Sequence, residues 1–318
     1  MGNLLVNPHS SLKSWTKRKI SGVLLLNKPK HISSNRALQV IKRFYRAFKA
    51  GHAGTLDPMA TGLLTICFGE ATKFSSMLLN ADKTYLATLK LGYISTTGDA
   101  EGEIRSVNDL FENKVGLEHA QIQKALNHFL GKTNQTAPLF SALKLNGKPL
   151  YRYARENILV ERKVREVNIY DINLIKCEND ELTIRVRCGS GTYIRTLAED
   201  IGKAMGWGGA YLTDLCRSQV GSFCLDQACG LNQFQGDVNV QHDLLLHPVD
   251  SLLQGYHSVI LSEEQVSLLL NGQAVSRENK QELTVGNKVK LYDLQGNFLG
   301  IGETIQVDRI APKRLVSH

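Results

Sequence analysis

Short apolar runs, each closed by glycine or proline, recur along this chain and limit it to a sheet-rich fold. "GVLLLNKP" (Gly22–Pro29) reads as a buried strand that ends at Pro29, and "LLTICFG" (Leu63–Gly69) as a central strand. "TYLATLKLG" (Thr84–Gly92) alternates apolar and polar residues and reads as another strand. In "LTIRVRC" the residues Leu182, Ile184, Val186 and Cys188 share one face, while Arg185 and Arg187 lie on the other. Helical spacing interrupts these strands. Ala37, Leu38, Ile41, Phe44, Tyr45 and Phe48 recur with that period after a cap at Ser34 or Asn35, and Ile122, Leu126 and Leu130 repeat every four residues. A glycine turn and a helix follow Cys188. Many short strands with interspersed helices make an α+β class. After His247-Pro248 the composition changes to one helical segment, "SEEQVSLLLNG", and then short strands and turns, so a boundary is expected near residue 250.

Charge is distributed unevenly. The 318 residues carry a formal net charge of +8. Residues 1–50 hold eleven Lys or Arg and no Asp or Glu. That is either a solvated basic face with a tail, or a surface for a phosphate backbone. Residues 1–19 are polar, basic and aperiodic and read as a flexible arm. The six cysteines form no Cys-x-x-Cys pair and no zinc-like grouping with histidine; Cys67 and Cys188 fall within strand-like runs as small core residues. No apolar run approaches the roughly 20 residues of a membrane span. Leu4–Val6 is too short for a signal-peptide core. A soluble cytoplasmic protein is expected.

Within the glycine-punctuated loop Gly51–Gly62, Asp57 is the sole carboxylate between the N-terminus and Glu70. Asp57-Pro58 can be a helix cap followed by proline at the first helical position, or a turn opener. Gly62 and the strand after it leave almost no room for a helix. A lone carboxylate in a basic groove repels phosphates. It is tolerated where a cation pairs with it or where it acts on the substrate as nucleophile or base.

"GHAGTLDPMATGLL" resembles the catalytic motif of the TruB family of pseudouridine synthases. "GVLLLNKP", "GEATK", "KTYLATLKLG", "TGDAEGE", "SALKLNGKPLYRYAR", "CGSGTYIRTLAEDIG" and "LCRSQVGSF" resemble the family's other blocks, in the family's order, over about residues 20–250. "GIGETIQVDRIAPKRLV" is similar to the small PUA-like C-terminal domain of bacterial members. The resemblance implies a mixed, mainly antiparallel sheet with flanking helices, a cleft across it, and a small β-rich tail. It divides the chain into the arm 1–19, a catalytic domain 20–250 with an RNA-clamping insertion at about 132–158, and a PUA-like RNA-binding domain 251–318. It implies isomerisation of a uridine in the TΨC loop of tRNA, with no cofactor and no metal; a monomer that contacts the T arm and no membrane is expected.

The resemblance also assigns roles. Asp57 matches the catalytic aspartate, Arg195 the arginine that pairs with it through two parallel bonds, and Tyr85 the tyrosine that stacks on the flipped base. His52 matches a histidine that contacts RNA near the space the base vacates. Leu215 belongs to the apolar wall, and Lys28 to a block that positions RNA. Lys144, Lys148, Arg152 and Arg155 are the expected RNA contacts of the insertion. The residues alone allow blander roles: Arg195 bonded to Glu199 one helical turn on, Tyr85 and Leu215 as core, His52 bonded to backbone. Two positions depart from the family pattern: Asn27 stands where many relatives have Asp, and Cys216 where Arg is frequent. The competing function is a non-catalytic RNA-binding or RNA-folding module that uses the same basic surface.

Overall fold

The computed structural model describes residues 16–107, 118–141, 143–156, 158, 160–277 and 283–317. Most of the expected arm 1–19 lies outside them. A ten-stranded mixed sheet organises the first 250 residues. Its order is Cys229–Gly230, Gly22–Lys28, Thr61–Phe68, Ala210–Val220, Lys83–Leu91, Glu181–Cys188, Val164–Glu178 and Gly131–Thr136, with Ala50–Ala53 and Phe223–Cys224 added at the side. Pairing is antiparallel except between Gly22–Lys28 and Cys229–Gly230, and between Thr61–Phe68 and Ala210–Val220.

The two unbroken apolar runs are strands covered on both faces. In Gly22–Lys28, Leu24 and Leu26 enter one core with Ile41, Tyr45 and Phe68, while Val23 and Leu25 enter a second with Phe74, Val220 and Leu252. Thr61–Phe68 divides likewise: Leu64 and Ile66 to the first, Leu63 and Cys67 to the second. Burial pushes the Cys67 thiol up to about 12, as suits an inert core residue. The alternating strands have one dry face. In Lys83–Leu91 the buried residues are Lys83, Tyr85, Ala87, Leu89 and Leu91; in Glu181–Cys188 they are Leu182, Ile184, Val186 and Cys188, with Arg185 and Arg187 exposed.

The helices differ from expectation in detail. The first spans Ser34–Phe44, and its cap is Ser33, whose hydroxyl accepts from the Arg36 N–H at 3.1 Å. It stops before Phe48 because Arg46 turns to a φ of 51°, and Phe48 is left exposed. The helix His119–Asn127 buries Ile122 and Leu126, but Leu130 lies beyond its end and is exposed. The stretch "TGDAEGE" leads into a short strand, Ile104–Ser106, paired with Tyr93–Ser95. Among the described residues no helix is long and apolar enough to cross a membrane.

The C-terminal residues build a smaller five-stranded sheet with its own core, including Leu261, Leu269, Val289, Leu291 and Ile310. Its helix, Glu263–Leu270, starts with a capping box between Ser262 and Gln265. This sheet rests on the second face of the large one. Ile301 joins that core, the Phe298 ring lies edge-on to Phe74, and the Tyr292 hydroxyl donates to Asp250 at 2.6 Å.

The parallel contact between Thr61–Phe68 and Ala210–Val220 is a seam only two register pairs long, Cys216 with Thr61 and Arg217 with Gly62. Gly62 has a φ of 98°, and a Cβ there would stand 2.4 Å from the Arg217 carbonyl oxygen and 2.8 Å from its nitrogen. The strands touch through backbone, and the position admits glycine alone. Gly62→Ala is expected to lower unfolding stability by about 3 kcal/mol through steric overlap and backbone strain. A urea titration checks this; an unchanged midpoint would show that the seam opens at no cost.

Candidate active site

The loop 54–60 runs into this seam, and both neighbours of Asp57 are fixed. On one side the Ser34 hydroxyl donates to the Leu56 carbonyl and accepts from the Leu56 N–H, both at 2.8 Å. On the other, the Pro58 carbonyl accepts from the His31 N–H at 2.8 Å and from Lys28 Nζ at 3.4 Å. The Ala60 N–H donates to the Asp57 carbonyl at 3.1 Å, so Asp57-Pro58 opens a turn rather than a helix. The carboxylate therefore projects from a loop whose backbone is held by the segment 28–34.

Arg195 meets it from the helix Ile194–Ala204. Its Nε lies 3.0 Å from Asp57 Oδ2 and 3.8 Å from Asp99 Oδ2. The two parallel bonds expected of a guanidinium and a carboxylate do not form, because both terminal nitrogens are taken: Nη1 donates to the Thr97 carbonyl and Nη2 to the Phe140 carbonyl, each at 2.8 Å. Glu199, the alternative partner, instead pairs with Lys203. The Arg195 side chain is buried, whereas that of Asp57 keeps about a third of its surface, 34%. The pair has an inner cation and an outer anion that faces a cavity.

That cavity measures about 180 Å³ and is lined by Asp57, Tyr85, Arg195 and Leu215 with Ser141 and the segment Thr192–Ile194. It is smaller than the roughly 300–1,000 Å³ of a site for a drug-sized ligand. The strand Lys83–Leu91 presents Tyr85, and the neighbouring Ala210–Val220 presents Leu215 opposite Ala87 and Arg217 opposite Tyr85. Four of the expected residues, Asp57, Tyr85, Arg195 and Leu215, thus converge.

The others are elsewhere. Lys28 is fully buried, and its ammonium donates to the carbonyls of Pro29 at 2.9 Å and Ile32 at 2.7 Å. It braces the loop beneath Asp57 instead of offering a surface charge to RNA; burial lowers its pKa to about 8. His52, on Ala50–Ala53, is outside the cavity. Its Nδ1 is buried without a hydrogen-bond partner among the described residues, and burial together with Arg217 holds the ring pKa below its ordinary value. Lys144, Arg152 and Arg155 are exposed in the insertion, Arg155 beside the Tyr151 ring at 5.6 Å. Lys148 is paired with Glu156 and lies 4.8 Å from the centre of the Tyr153 ring.

Sequence reasoning missed two charged residues here. Asp99 is 3% exposed; it accepts from the Thr97 hydroxyl at 2.6 Å and the Glu101 N–H at 3.1 Å. Placed among Glu101, Glu103 and two glycines, it reads as an ordinary turn acid. Arg217 is 1% exposed; its Nε donates to the Leu63 carbonyl at 2.8 Å and Nη2 to the Gly54 carbonyl at 3.0 Å, and it stands opposite Tyr85 in the register of the neighbouring strand. Two bulges, at Leu212/Asp214 and Arg217/Gln219, shift which residues of its strand face inward, so alternation hides it.

The electrostatics follow from these contacts. Burial raises the Asp57 carboxyl above its ordinary value, the Arg195 guanidinium opposes that shift, and Asp99 adds to it. Burial likewise raises the Tyr85 phenol, with Arg217 opposing.

Comparison with known proteins establishes the family. A family model described as TruB family pseudouridylate synthase (N terminal domain) matches residues 42–194, and one described as pseudouridine synthase II TruB, C-terminal, matches residues 258–316. The tRNA pseudouridine synthase B of Nitrosomonas europaea is 55% identical over 92% of this chain and 95% of its own length. That of Nitrosospira multiformis is 50% identical over 95% and 97%. Among solved structures, a Cbf5–Nop10–Gar1 complex aligns with a TM-score of 0.68 at 22% identity, over 92% of this chain and 84% of that one. An H/ACA ribonucleoprotein bound to a substrate RNA containing 2'-deoxyuridine gives 0.67 at 19%, over 93% and 85%. These two likenesses are of fold. The chain belongs to the TruB family of pseudouridylate synthases.

Site-resolved carboxyl titration by NMR is expected to place the Asp57 midpoint above the 3.8 of an ordinary aspartate. In Arg195→Ala the opposing cation is gone and the midpoint should rise further. A midpoint that falls on removal of Arg195 would contradict the pairing.

Proposed function

We propose that this protein is a tRNA pseudouridine synthase that isomerises the uridine of the TΨC loop, with Asp57 as the acting carboxylate. The single observation that carries the assignment of roles is the Asp57–Arg195 contact at 3.0 Å, facing a cavity walled by Tyr85 and Leu215. In the reaction the bond from C1' to N1 of the base breaks and a bond from C1' to C5 forms. C5 loses its proton and N1 gains one, so no atom is added or removed overall. Cleavage places positive charge on the sugar, which a carboxylate stabilises or traps. Attack on the nucleotide and abstraction of a sugar proton both require Asp57 ionised. Arg195, rigidly held by two carbonyls, keeps it aimed and favours the anion.

A uridine within a folded loop reaches this cavity only after leaving its stack. Tyr85 and Leu215 offer the flat and apolar surfaces such a base needs. His52, neutral through its lowered pKa, contacts RNA by shape and hydrogen bonding rather than by charge. Lys144, Arg152 and Arg155 on the insertion at about 132–158, with the basic face of the helix Ser34–Phe44, hold the phosphates of the T arm. Lys148, already paired with Glu156, contributes less. Residues 20–250 form the catalytic domain and 251–318 a PUA-like RNA-binding domain. The protein acts as a monomer in the cytoplasm, where its substrate is found.

Incubating unmodified tRNA transcript with the wild type in the presence of chelator should yield pseudouridine in the TΨC loop, read by chemical tagging. Asp57→Asn should give no product while still binding the RNA; turnover by a clean preparation of that variant would sink the assignment. Binding by the wild type with no product would instead favour the non-catalytic RNA-folding module. The phosphate contacts are tested separately. Lys144→Ala and Arg155→Ala should each lower the slope of log Kd against log salt by about 1 and leave the rate at saturation unchanged. An unaltered slope would remove those residues from the interface.

A further inference from the structure

The polar side chains around the Asp57 cavity are nearly all engaged. Arg195 is shared among Asp57 and the Thr97 and Phe140 carbonyls. The Thr192 hydroxyl donates to the Gly189 carbonyl at 3.0 Å, and the Tyr193 hydroxyl accepts from Arg165 at 2.9 Å. Tyr85 stands opposite Arg217 in the strand register, and Thr55 is open to water. Ser141 is the exception. It lines the cavity and is 4% exposed, and its hydroxyl is buried without any hydrogen-bond partner among the described residues.

Nothing in the local backbone explains the orphan. The Ser141 N–H donates to the Leu139 carbonyl at 3.0 Å, and its carbonyl accepts from the Tyr151 N–H at 3.1 Å. The main chain is satisfied and the hydroxyl alone is left. Buried hydroxyls are rarely left so, since each forfeits its hydration for nothing. The position is also fixed relative to the reacting group, because the preceding Phe140 carbonyl is held by the arginine that pairs with Asp57.

We propose that the Ser141 hydroxyl is a substrate contact that hydrogen-bonds the polar edge of the extruded pyrimidine base in this cavity. The inference rests on the isomerase reading above and extends it to the recognition of the base. A hydroxyl donates and accepts, which suits an edge with two carbonyl oxygens and an imide N–H. A phosphate suits the cavity poorly. The Asp57 carboxylate faces it, and the Arg195 charge is already shared between Asp57 and Asp99.

The test compares wild type and Ser141→Ala on tRNA transcripts bearing uridine, 2-thiouridine or 4-thiouridine at the target position. On uridine, Ser141→Ala should lose about tenfold in kcat/KM, the cost of one hydrogen bond made to the reacting base. RNA affinity, dominated by phosphates, should stay within about twofold. Thermal stability should be unchanged or raised, because the variant removes an unsatisfied hydroxyl. One of the two thio substitutions should slow the wild type while leaving Ser141→Ala no slower than on uridine. Equal turnover of variant and wild type would overturn the proposal. So would thio effects that simply add to the variant's loss at both positions, since the hydroxyl would then act away from the base. A fall in Tm alongside slower turnover would assign the hydroxyl to the fold. Failure of the wild type to convert uridine at all would remove the isomerase reading itself, a distinct result.

Discussion

The buried guanidinium of Arg217 is where the structure is held together. Two halves of the large sheet meet in parallel over only two register pairs, far too few for a ladder of backbone hydrogen bonds to fix their relative position. Arg217 supplies what the ladder lacks. Its backbone packs directly on Gly62, while its side chain donates to Leu63 on the partner strand and to Gly54 on the loop that carries Asp57. A cation of this size is tolerated in the interior because carbonyl dipoles replace its hydration. Arg217 also stands opposite Tyr85 in the register of the neighbouring strand. One residue thus ties the seam to the start of the loop that carries Asp57 and stands beside the strand that presents Tyr85.

Arg195 does for the site what Arg217 does for the sheet. Its terminal nitrogens are spent on carbonyls from two separate segments, at Thr97 and Phe140, so that Nε alone is left for Asp57. A lysine, with a single mobile ammonium, could not satisfy these directions together. Asp99 lies behind the guanidinium and balances its charge from the interior. Asp57 is consequently held by a cation that is only partly its own. This lets burial keep its carboxyl above the ordinary range despite the ion pair. Two parallel bonds would favour the anion more strongly; one shared contact holds the carboxylate in place without cancelling the effect of burial.

The sheet strands and the converging residues were legible in the sequence to the extent that their physics is local. Continuous apolar runs gave away strands covered on both faces, as at Gly22–Lys28, and strict alternation gave away one-sided strands, as at Glu181–Cys188. The family motif located Asp57, Tyr85, Arg195 and Leu215, which the fold brings together around one cavity. What stayed hidden depends on partners far along the chain. Bulges moved Leu215 and Arg217 into phase with Tyr85, and no periodicity in the sequence announces a bulge. Lys28 looks like one more cation of the basic N-terminal region; only the carbonyls of Ile32 and Pro58 around its ammonium make it a brace. The spacing puts the first helix's cap at Ser34 or Asn35, yet Ser33 takes it and Ser34 is turned inward to hold Leu56.

These long-range ties give the insertion a double position. Its outer surface carries the exposed cations Lys144, Arg152 and Arg155, while its inner edge supplies the Phe140 carbonyl to Arg195 and places Ser141 against the cavity. One segment, 138–155, thus carries exposed cations on one side and, on the other, the carbonyl that holds the Arg195 guanidinium. On the opposite flank, Asp57 is fixed by the segment 28–34, whose following helix carries the other basic face. The exposed cations and the groups that hold the Asp57–Arg195 pair therefore share backbone on both sides of the cavity, so the outer surface and the ion pair belong to one connected frame.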